Sequence, residues 1–339
     1  MKIYPNLNLL KQNLGIKNIN TGKMFTHNSS PNGIVFDDIE QLTHIGTIDN
    51  KIVLKSGTEL TFNQYRGQVK DFDICNANLF REKTKEQIFL QICRTIAFEN
   101  LLGKHPYLKL IKIMNSEIYI NNTAIAQHYE LKTPFLDLTS NFDVATFFAT
   151  SEYNPLTKKY EPYSHKSDLG VIYVYNEIHS YSSENMLFEY IGWQGLPRPE
   201  EQRASIYHLT NNEDFNNIKG VTKYYFKHSL KISKKIWNKF KKGKVLFPND
   251  SAGDLANECK KLTSFTQDEL NSALFRLGKW TDFTFKDNDI KKIYEKLDIN
   301  IVKSAPLNWN NLVDTSESYW LEKLSDISSK VKYRKSIYV

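Results

Sequence analysis

The sequence predicts an α+β protein in which a mixed or antiparallel sheet core has flanking helices and is followed by a helical C-terminal appendage. Three observations carry this prediction. Short apolar runs such as 170–175 have the length and composition of buried strands. Residues 84–102 place apolar side chains at helical spacing. The chain also contains 19 tyrosines and 20 phenylalanines, which favour strands and aromatic-lined clefts.

The composition is that of a folded protein with a sizeable core. The 339 residues are 40% hydrophobic and 24% charged, enough for one large domain or two smaller ones. The net charge of +7 is spread over a lysine-rich chain, which indicates solubility, or alternatively weak attraction to nucleic acid, nucleotides or anionic surfaces. Cys75, Cys93 and Cys259 are too far apart for a zinc knuckle or a disulfide framework. Since no apolar run could span a bilayer, we expect a cytoplasmic protein without a membrane partner.

The first third of the chain changes pattern at about residue 51. Residues 1–48 are polar and asparagine-rich, which is typical of an irregular lead-in. Runs 51–54 and 60–65 have the composition of two short strands, so Arg66 is predicted at a strand end. The strongest predicted helix is 84–102, which opens with a capping-box pattern.

The middle of the chain alternates short helices and strands. A short helix is predicted at 122–129, a strand at 135–139, and a helix at 143–150 capped by Asn141 or Asp143. Three further strands are predicted at 170–175, 205–209 and 223–232.

The C-terminal part reads as helical. The lysine-rich stretch 231–244 has apolar residues at helical spacing, so its lysines are predicted to form a solvated helix face. Residues 247–256 lead into another helix. Three more are predicted: one from Thr266 with Glu269 as capping partner, one after Asp289, and one over 316–331. We therefore divide the chain into a polar lead-in (1–48), a central domain (49–265) and a helical C-terminal region (266–339).

Candidate functional residues fall into three blocks. The blocks are Tyr65-Arg66-Gly67-Gln68, the segment from Gln127 to Asn141, and the segment from Arg198 to Arg203. Arg66 is either a structural arginine paired with a carboxylate such as Asp137, or an anion anchor, because a guanidinium matches phosphate or carboxylate oxygens. Gly67 lacks a Cβ and would let a ligand approach the backbone.

The second block offers further site residues. His128 and Tyr129 end a predicted helix, and a lone histidine there is either a satisfied core or capping residue or a site residue. Asp137 and Thr139 lie two apart in a predicted strand, so their side chains would share one face. They would either cap the following helix or face the same cleft as Arg66.

These three blocks, in this order, resemble the FRG domain family, which is named for its Phe-Arg-Gly motif. Tyr65 stands in the Phe position, and Gln127-His128-Tyr129 matches the family's Gln-His-Tyr run. The chain departs from the family at Glu130, where glycine is common, so the local turn must differ. The resemblance extends to a Phe-Pro…Gly-Asp-Leu-Ala ending and covers roughly 60–262.

The resemblance also suggests which side chains form the site. It implies that His128 and Tyr129 line it, and that Gln68 belongs to the ligand-binding residues. The family shows an arginine followed by a glutamine in the third block, which implies Gln202 and then Arg198.

The order arginine, hydroxyl residue, then acidic or amide residue resembles the layout of the ADP-ribosyltransferase fold. This likeness implies that Arg66 grips the pyrophosphate or ribose of NAD, that Thr139 fills the hydroxyl role, and that Gln202 fills the last. The implied chemistry is cleavage of the N-glycosidic bond of NAD through an oxocarbenium-like state, with no metal. It is ADP-ribosyl transfer to a protein or nucleic acid, or NAD hydrolysis, as in a bacterial toxin or defence effector.

Two other classes of function stay open. One is a nucleotide-binding sensor that keeps the cleft without catalysis. The glutamine at position 202 favours it, because glutamine cannot act as a base at neutral pH. Alternatively, the 231–244 helix and the C-terminal helices would form a nucleic-acid or protein interaction module. The sequence contains no Walker loop, dinucleotide-binding glycine motif, zinc-protease motif or serine-hydrolase elbow, which disfavours kinases, classical dehydrogenases, zinc proteases and serine hydrolases.

Overall fold

A computed structural model gives the structure of most of the chain. It describes residues 2–16, 25–26, 34–35, 42–56, 62–105, 108, 111–113, 116–165, 167–182, 187–309 and 331–332.

The strands are short, and most pair with a strand that is distant in the chain. They are β1 (Ile3–Tyr4), β2 (Phe25–Thr26), β3 (Ile34–Val35), β4 (Leu42–Ile48), β5 (Lys51–Ser56), β6 (Asn63–Gln68), β7 (Lys112–Ile113), β8 (Ser116–Glu117), β9 (Phe135–Thr139), β10 (Ser151–Asn154), β11 (Lys159–Pro162), β12 (Leu169–Asn176), β13 (Phe188–Tyr190), β14 (Ala204–His208), β15 (Val221–Lys227), β16 (Ser264–Thr266), β17 (Asn300–Val302) and β18 (Val331–Lys332).

The helices are concentrated in the middle and the C-terminal part of the chain. They are α1 (Leu7–Asn13), α2 (Lys85–Gly103), α3 (Asn122–His128), α4 (Phe142–Thr150), α5 (Pro197–Glu201), α6 (Leu230–Lys239), α7 (Ser251–Cys259), α8 (Gln267–Trp280) and α9 (Asp287–Lys296).

Seven strands form the central sheet, in the order β1-β15-β12-β6-β9-β14-β13. β1 and β15 pair in parallel, and the other neighbours in this sheet are antiparallel. The sheet is therefore mixed and has helices packed against it. The predicted α+β class with a mixed sheet core is confirmed.

The sheet is opened between β6 and β9. β6 pairs with β12 along its whole length, but with β9 it shares a single residue pair, Tyr65 with Thr139. Beyond that pair the two strands form no ladder, and residues of both line a cavity. Arg66 and Asp137 lie at this opening, so the topology brings the first two sequence blocks together.

Helix α4 covers one face of the sheet at the opening. Its N-cap is Asn141 rather than Asp143, because the Asn141 side-chain oxygen accepts hydrogen bonds from the Asp143 and Val144 amides at 2.9 and 3.2 Å. The Tyr65 ring meets Phe142 edge to face, with ring centroids 5.3 Å apart. Both rings belong to an apolar cluster that α4 shares with α1 and the sheet.

Within the predicted polar lead-in 1–48, residues 3–13 form regular structure. Ile3 and Tyr4 add the edge strand β1 to the main sheet, and Asn6 caps α1 by accepting a hydrogen bond from the Leu9 amide at 3.1 Å. Leu7 and Leu10 of α1 are buried in the α4 cluster. Strand β1 is hard to recognise in the sequence, because a strand of two residues is defined by its pairing with β15 and not by its own composition.

Helices α2 and α8 pack against each other in a separate apolar cluster. The predicted capping box at the start of α8 is present, since Thr266 and Glu269 exchange hydrogen bonds between side chain and backbone. Arg276 of α8 forms a bidentate ion pair with Glu99 of α2, at 2.7 and 2.6 Å. The predicted helix over 316–331 lies outside the described residues except at Val331, which belongs to β18.

Two negative findings apply to the described part of the chain. None of its helices combines the length and the apolar composition that a bilayer crossing requires. Nor do its residues group three or more His, Cys, Asp or Glu side chains in a way that would hold a metal ion. The three cysteines are buried and free, and Cys93 lies in the core as predicted.

Candidate functional site

A cavity of about 350 Å³ lies at the opening between β6 and β9. Its size falls within the range of small-molecule sites, which starts at roughly 300 Å³. Six of the predicted site residues that carry polar side chains line it: Arg66, Gln68, His128, Asp137, Thr139 and Gln202. β6 supplies the arginine, the end of α3 the histidine, β9 the aspartate and threonine, and the turn before β14 the glutamine.

Arg66 does not form the predicted ion pair with the Asp137 carboxylate. One of its terminal nitrogens donates a hydrogen bond to the Asp137 backbone carbonyl at 2.9 Å, which bridges the gap between the two strands. Among the described residues, no carboxylate lies within ion-pair distance of Arg66, and its buried Nε has no hydrogen-bond partner. A guanidinium in this arrangement has two or more N–H donors left for an anion.

A second guanidinium, that of Arg81, lines the same cavity. It donates a hydrogen bond to the Asn76 carbonyl at 2.9 Å and forms no ion pair with a described residue. Partial removal from water and the nearby positive charge of Arg66 lower the pKa of Arg81. The two like charges repel each other, and a bound anion would relieve that repulsion.

Gln202 fixes the orientation of His128. The Gln202 amide nitrogen donates to the Leu246 carbonyl at 3.0 Å, so its oxygen is the atom that faces His128 Nδ1, at 2.9 Å. An amide oxygen can only accept, and Nδ1 must therefore carry the hydrogen. In the neutral imidazole the lone pair is then on Nε2. This nitrogen lies 4.0 Å from Oδ1 of the Asp137 carboxylate.

Asp137 lines the cavity, and only one of its two carboxylate oxygens has a hydrogen-bond partner. Its Oδ2 accepts a hydrogen bond from the Gln127 amide at 2.9 Å, and Gln127 is held in turn by the Thr133 hydroxyl at 2.6 Å. Its buried Oδ1 has no hydrogen-bond partner among the described residues. The cavity thus combines two cations, one carboxylate oxygen and one imidazole nitrogen.

The sequence model of the FRG domain matches residues 63–158. This chain carries an FRG domain. The matched segment contains both arginines, His128 and Asp137, whereas Gln202 lies beyond it. Neither the curated proteins nor the solved structures yielded a match to the chain.

Gly67 of the FRG motif lines the cavity and also packs closely against α4. A Cβ at this position would lie 1.8 Å from the Ala145 carbonyl oxygen and 2.7 Å from the Ala149 amide nitrogen. Both atoms belong to the backbone of α4, which cannot give way as a side chain can. The missing Cβ therefore permits the close approach of β6 and α4, and the predicted role of Gly67 at a ligand stays a prediction.

Thr139 is also engaged within the domain. Its hydroxyl donates to the Gln202 carbonyl at 2.7 Å and accepts from the Asn141 amide at 3.1 Å. The side chain therefore ties β9 to the Gln202 turn and to the cap of α4, and has little capacity left for a ligand.

Two further predicted site residues, Tyr129 and Arg198, are not among the residues that line the cavity. The Tyr129 ring is fully buried in the apolar core, and its hydroxyl donates to the Asp250 carboxylate at 2.7 Å. The Arg198 guanidinium lies over that ring, 4.4 Å from its centroid. The two side chains form a cation–π pair that packs α5 against α3 and α7.

Gln68 lies at the cavity, as predicted for a ligand-binding residue. Its buried amide oxygen has no hydrogen-bond partner among the described residues, and the same holds for the buried Ser151 hydroxyl, which the sequence did not indicate. Buried polar atoms of this kind are uncommon in native proteins and require an explanation such as a ligand.

Aromatic rings form much of the remaining cavity wall. The rings are Phe72, Phe148, Tyr153 and Tyr160. Phe72 and Tyr153 are 42% and 44% exposed, so both offer ring surface to a ligand. In such a cavity the exposed rings can stack on a flat group while the two arginines contact an anionic one.

Proposed function

We propose that the FRG domain of this chain binds NAD in the 350 Å³ cavity and cleaves the bond between nicotinamide and ribose. One observation carries the proposal: Arg66 and Arg81, without an ion pair to any described residue, share a cavity with an unpartnered oxygen of Asp137. NAD offers the complementary charges, namely an anionic diphosphate and a cationic nicotinamide riboside.

Each side chain has a part in this chemistry. Arg66 and Arg81 hold the diphosphate. When the C1′–N bond breaks, its electron pair moves to the nicotinamide ring, and the Asp137 carboxylate stabilises the positive charge left on the ribose. Water or an acceptor hydroxyl forms the new bond to C1′, and its proton passes to His128 Nε2.

These assignments differ from those that the ADP-ribosyltransferase resemblance implies. Asp137 takes the carboxylate role, since both polar atoms of the Gln202 side chain are engaged with His128 and Leu246. Gln202 and Thr139 become positioning residues. An ADP-ribosyltransferase-like fold, a protein or nucleic-acid acceptor, and a toxin or defence role through NAD consumption belong to the same proposal.

The test is to incubate the purified chain with NAD and measure free nicotinamide. We expect Arg66→Ala to lower the rate at least about 100-fold, because removal of one charge-stabilising donor typically costs that much. Asp137→Asn should retain NAD binding, measured calorimetrically, but lose nicotinamide release by a similar factor.

Arg94→Ala is the matched control. Arg94 likewise donates one hydrogen bond to a backbone carbonyl, that of Leu262 at 3.0 Å, but lies away from the cavity. If Arg66→Ala releases nicotinamide as fast as Arg94→Ala does, the proposal is overturned. An NAD-dependent rise in melting temperature without nicotinamide release would instead identify a nucleotide-binding sensor.

A second candidate function is nucleic-acid binding. It is favoured by six exposed lysines on and after α6 that form no ion pair with a described residue. We call them the lysine face: Lys231, Lys234, Lys235, Lys241, Lys242 and Lys244. The face adjoins the cavity wall, since Trp237 of α6 donates a hydrogen bond to the Tyr160 carbonyl at 2.7 Å.

A further inference from the structure

A second cavity, of about 620 Å³, adjoins the first. The two cavities share three lining residues, Gln68, Phe72 and Arg81. A ligand whose charged group contacts Arg81 can therefore extend from one cavity into the other. The proposed chemistry at Asp137 and His128 uses the first cavity alone and leaves the second without a role.

The second cavity has an apolar wall beside the shared boundary. Phe72, Ile74 and Phe80 line it, and Ile74 is 66% exposed. Exposed apolar side chains that gather at a cavity are typical of a binding site for a flat or apolar group. The exposed Phe72 ring in particular offers a face for stacking.

The charged residues of the second cavity differ between its far wall and the boundary that it shares with the first. Glu213 and Asp214 line this cavity and not the first, so a phosphate would be repelled from that wall. Arg81, at the shared boundary, attracts a phosphate, and Arg66 lies beyond it in the first cavity. A nucleotide would therefore place its phosphate at the boundary and its base in the second cavity.

Gln68 specifies what kind of base would fit. Its amide nitrogen lies 3.8 Å from the Cys75 sulfur, while its amide oxygen, in a side chain that is more than nine-tenths buried, has no hydrogen-bond partner among the described residues. That oxygen can only accept a hydrogen bond. A base with an N–H donor on its edge would satisfy it, whereas a base with a carbonyl there would not.

We propose that the second cavity binds the adenine ring of an adenine nucleotide. The ring stacks on Phe72, its exocyclic amine donates to Gln68 Oε1, and its phosphates lie between Arg81 and Arg66. The inference rests on the proposed function in one respect: it places the adenosine half of NAD in the second cavity and the nicotinamide half in the first.

The experiment compares AMP with inosine monophosphate on the intact chain by calorimetry. The two nucleotides differ at neighbouring positions of one base edge: inosine carries a carbonyl in place of the adenine amine and an N–H in place of the adenine N1 acceptor. Loss of one hydrogen bond, with the Gln68 oxygen left facing a carbonyl, should weaken binding about tenfold. Gln68→Leu should remove the preference for AMP.

Because Gln68 is buried, Gln68→Leu could lose binding by misfolding. A second variant therefore tests the same cavity at an exposed position. Ile74→Ser alters an exposed side chain and should weaken AMP binding about fivefold through lost apolar contact. Ile178→Ser is its matched control, since Ile178 is 52% exposed and lies outside both cavities. Melting temperatures establish that each variant is folded.

The outcomes separate this inference from the proposed function. Equal affinity for AMP and inosine monophosphate, or equal AMP binding by the two isoleucine variants, would overturn the adenine site even if nicotinamide is released. A preference for AMP that depends on Gln68 and Ile74 would support it even if NAD is not consumed.

Discussion

At the scale of single residues, the Gln202 side chain determines which nitrogen of His128 faces the cavity. Its two hydrogen bonds, to the Leu246 carbonyl and from His128 Nδ1, leave the amide one possible orientation. The proposed proton transfer needs a lone pair on Nε2. Gln202 therefore acts through His128 and does not contact the reacting atoms.

We predict that Gln202→Leu will change the tautomer of His128. Leucine has a similar volume but cannot accept the Nδ1 hydrogen, and a neutral hydrogen bond is worth about 1 kcal/mol, or about fivefold in the tautomer ratio. Nitrogen-15 NMR shifts of the ring nitrogens should show Nδ1–H in the wild-type chain and a mixture with Nε2–H in the variant. The ring of His208, which lies outside the cavity, is the internal reference. An unchanged Nδ1–H tautomer would contradict this role.

The sequence predicted some site residues and missed others for an identifiable reason. Arg66, His128, Asp137 and Gln202 belong to short blocks whose order could be compared with a family. Arg81 and Gln127 reach the site through partners that the sequence does not indicate, the Asn76 carbonyl and the Asp137 carboxylate. Tyr129 directly follows His128, but His128 lines the cavity whereas the Tyr129 ring is buried in the core, and a sequence block cannot separate these two placements.

At the scale of elements, β6 and α4 pack closely against each other beside the cavity. Tyr65 and Gly67 lie on the face of β6 that meets α4, while Arg66 points to the other side, as alternation along a strand requires. The backbone of Gly67 touches the backbone of α4, and this close approach leaves no space for a side chain.

We predict that Gly67→Ala will cost at least about 3 kcal/mol of unfolding free energy, because α4 would have to move away from β6. Urea denaturation measures the loss. The matched control is Gly103→Ala at the end of α2, where an added Cβ meets no atom within 4 Å, so a change below about 1 kcal/mol is expected. Equal stability of the two variants would show that β6 and α4 separate easily.

Elements whose signals are local were predicted well, and elements defined by distant partners were not. The caps of α2 and α8 lie within three residues of the helix start, and both are present where the sequence places them. β1 consists of two residues and depends on pairing with β15, more than 200 residues away along the chain. The opening between β6 and β9 likewise has no sequence signal, because it reflects hydrogen bonds that are not formed.

At the scale of the whole molecule, unpaired lysines are concentrated in one stretch on and after α6. The chain has a net charge of +7, and the six lysines of the lysine face lie on one stretch of 14 residues, 231–244. By contrast, Lys239 on the same helix is paired with Asp143, as is Lys11. The unpaired lysines would draw an anionic ligand towards the cavity, whether it is a nucleotide or a polynucleotide.

We predict that the lysine face binds single-stranded nucleic acid through its phosphates. Replacing Lys231, Lys234 and Lys235 together with glutamine removes three contacts, so the slope of log K against log salt should fall by about 2. Fluorescence anisotropy of a labelled oligonucleotide at several salt concentrations measures this slope. Binding at low salt should weaken at least tenfold.

The control removes the same charge elsewhere. Lys279, Lys291 and Lys292 are exposed lysines of α8 and α9, away from the cavity, and their triple replacement with glutamine also lowers the net charge by three. If attraction depends on net charge alone, both triple variants will lose affinity equally, and the lysine face is only a solvated surface. If the α6 variant alone loses affinity and salt dependence, the polyanion lies along α6 beside the Tyr160 wall of the cavity, where a nucleic-acid acceptor could reach the site.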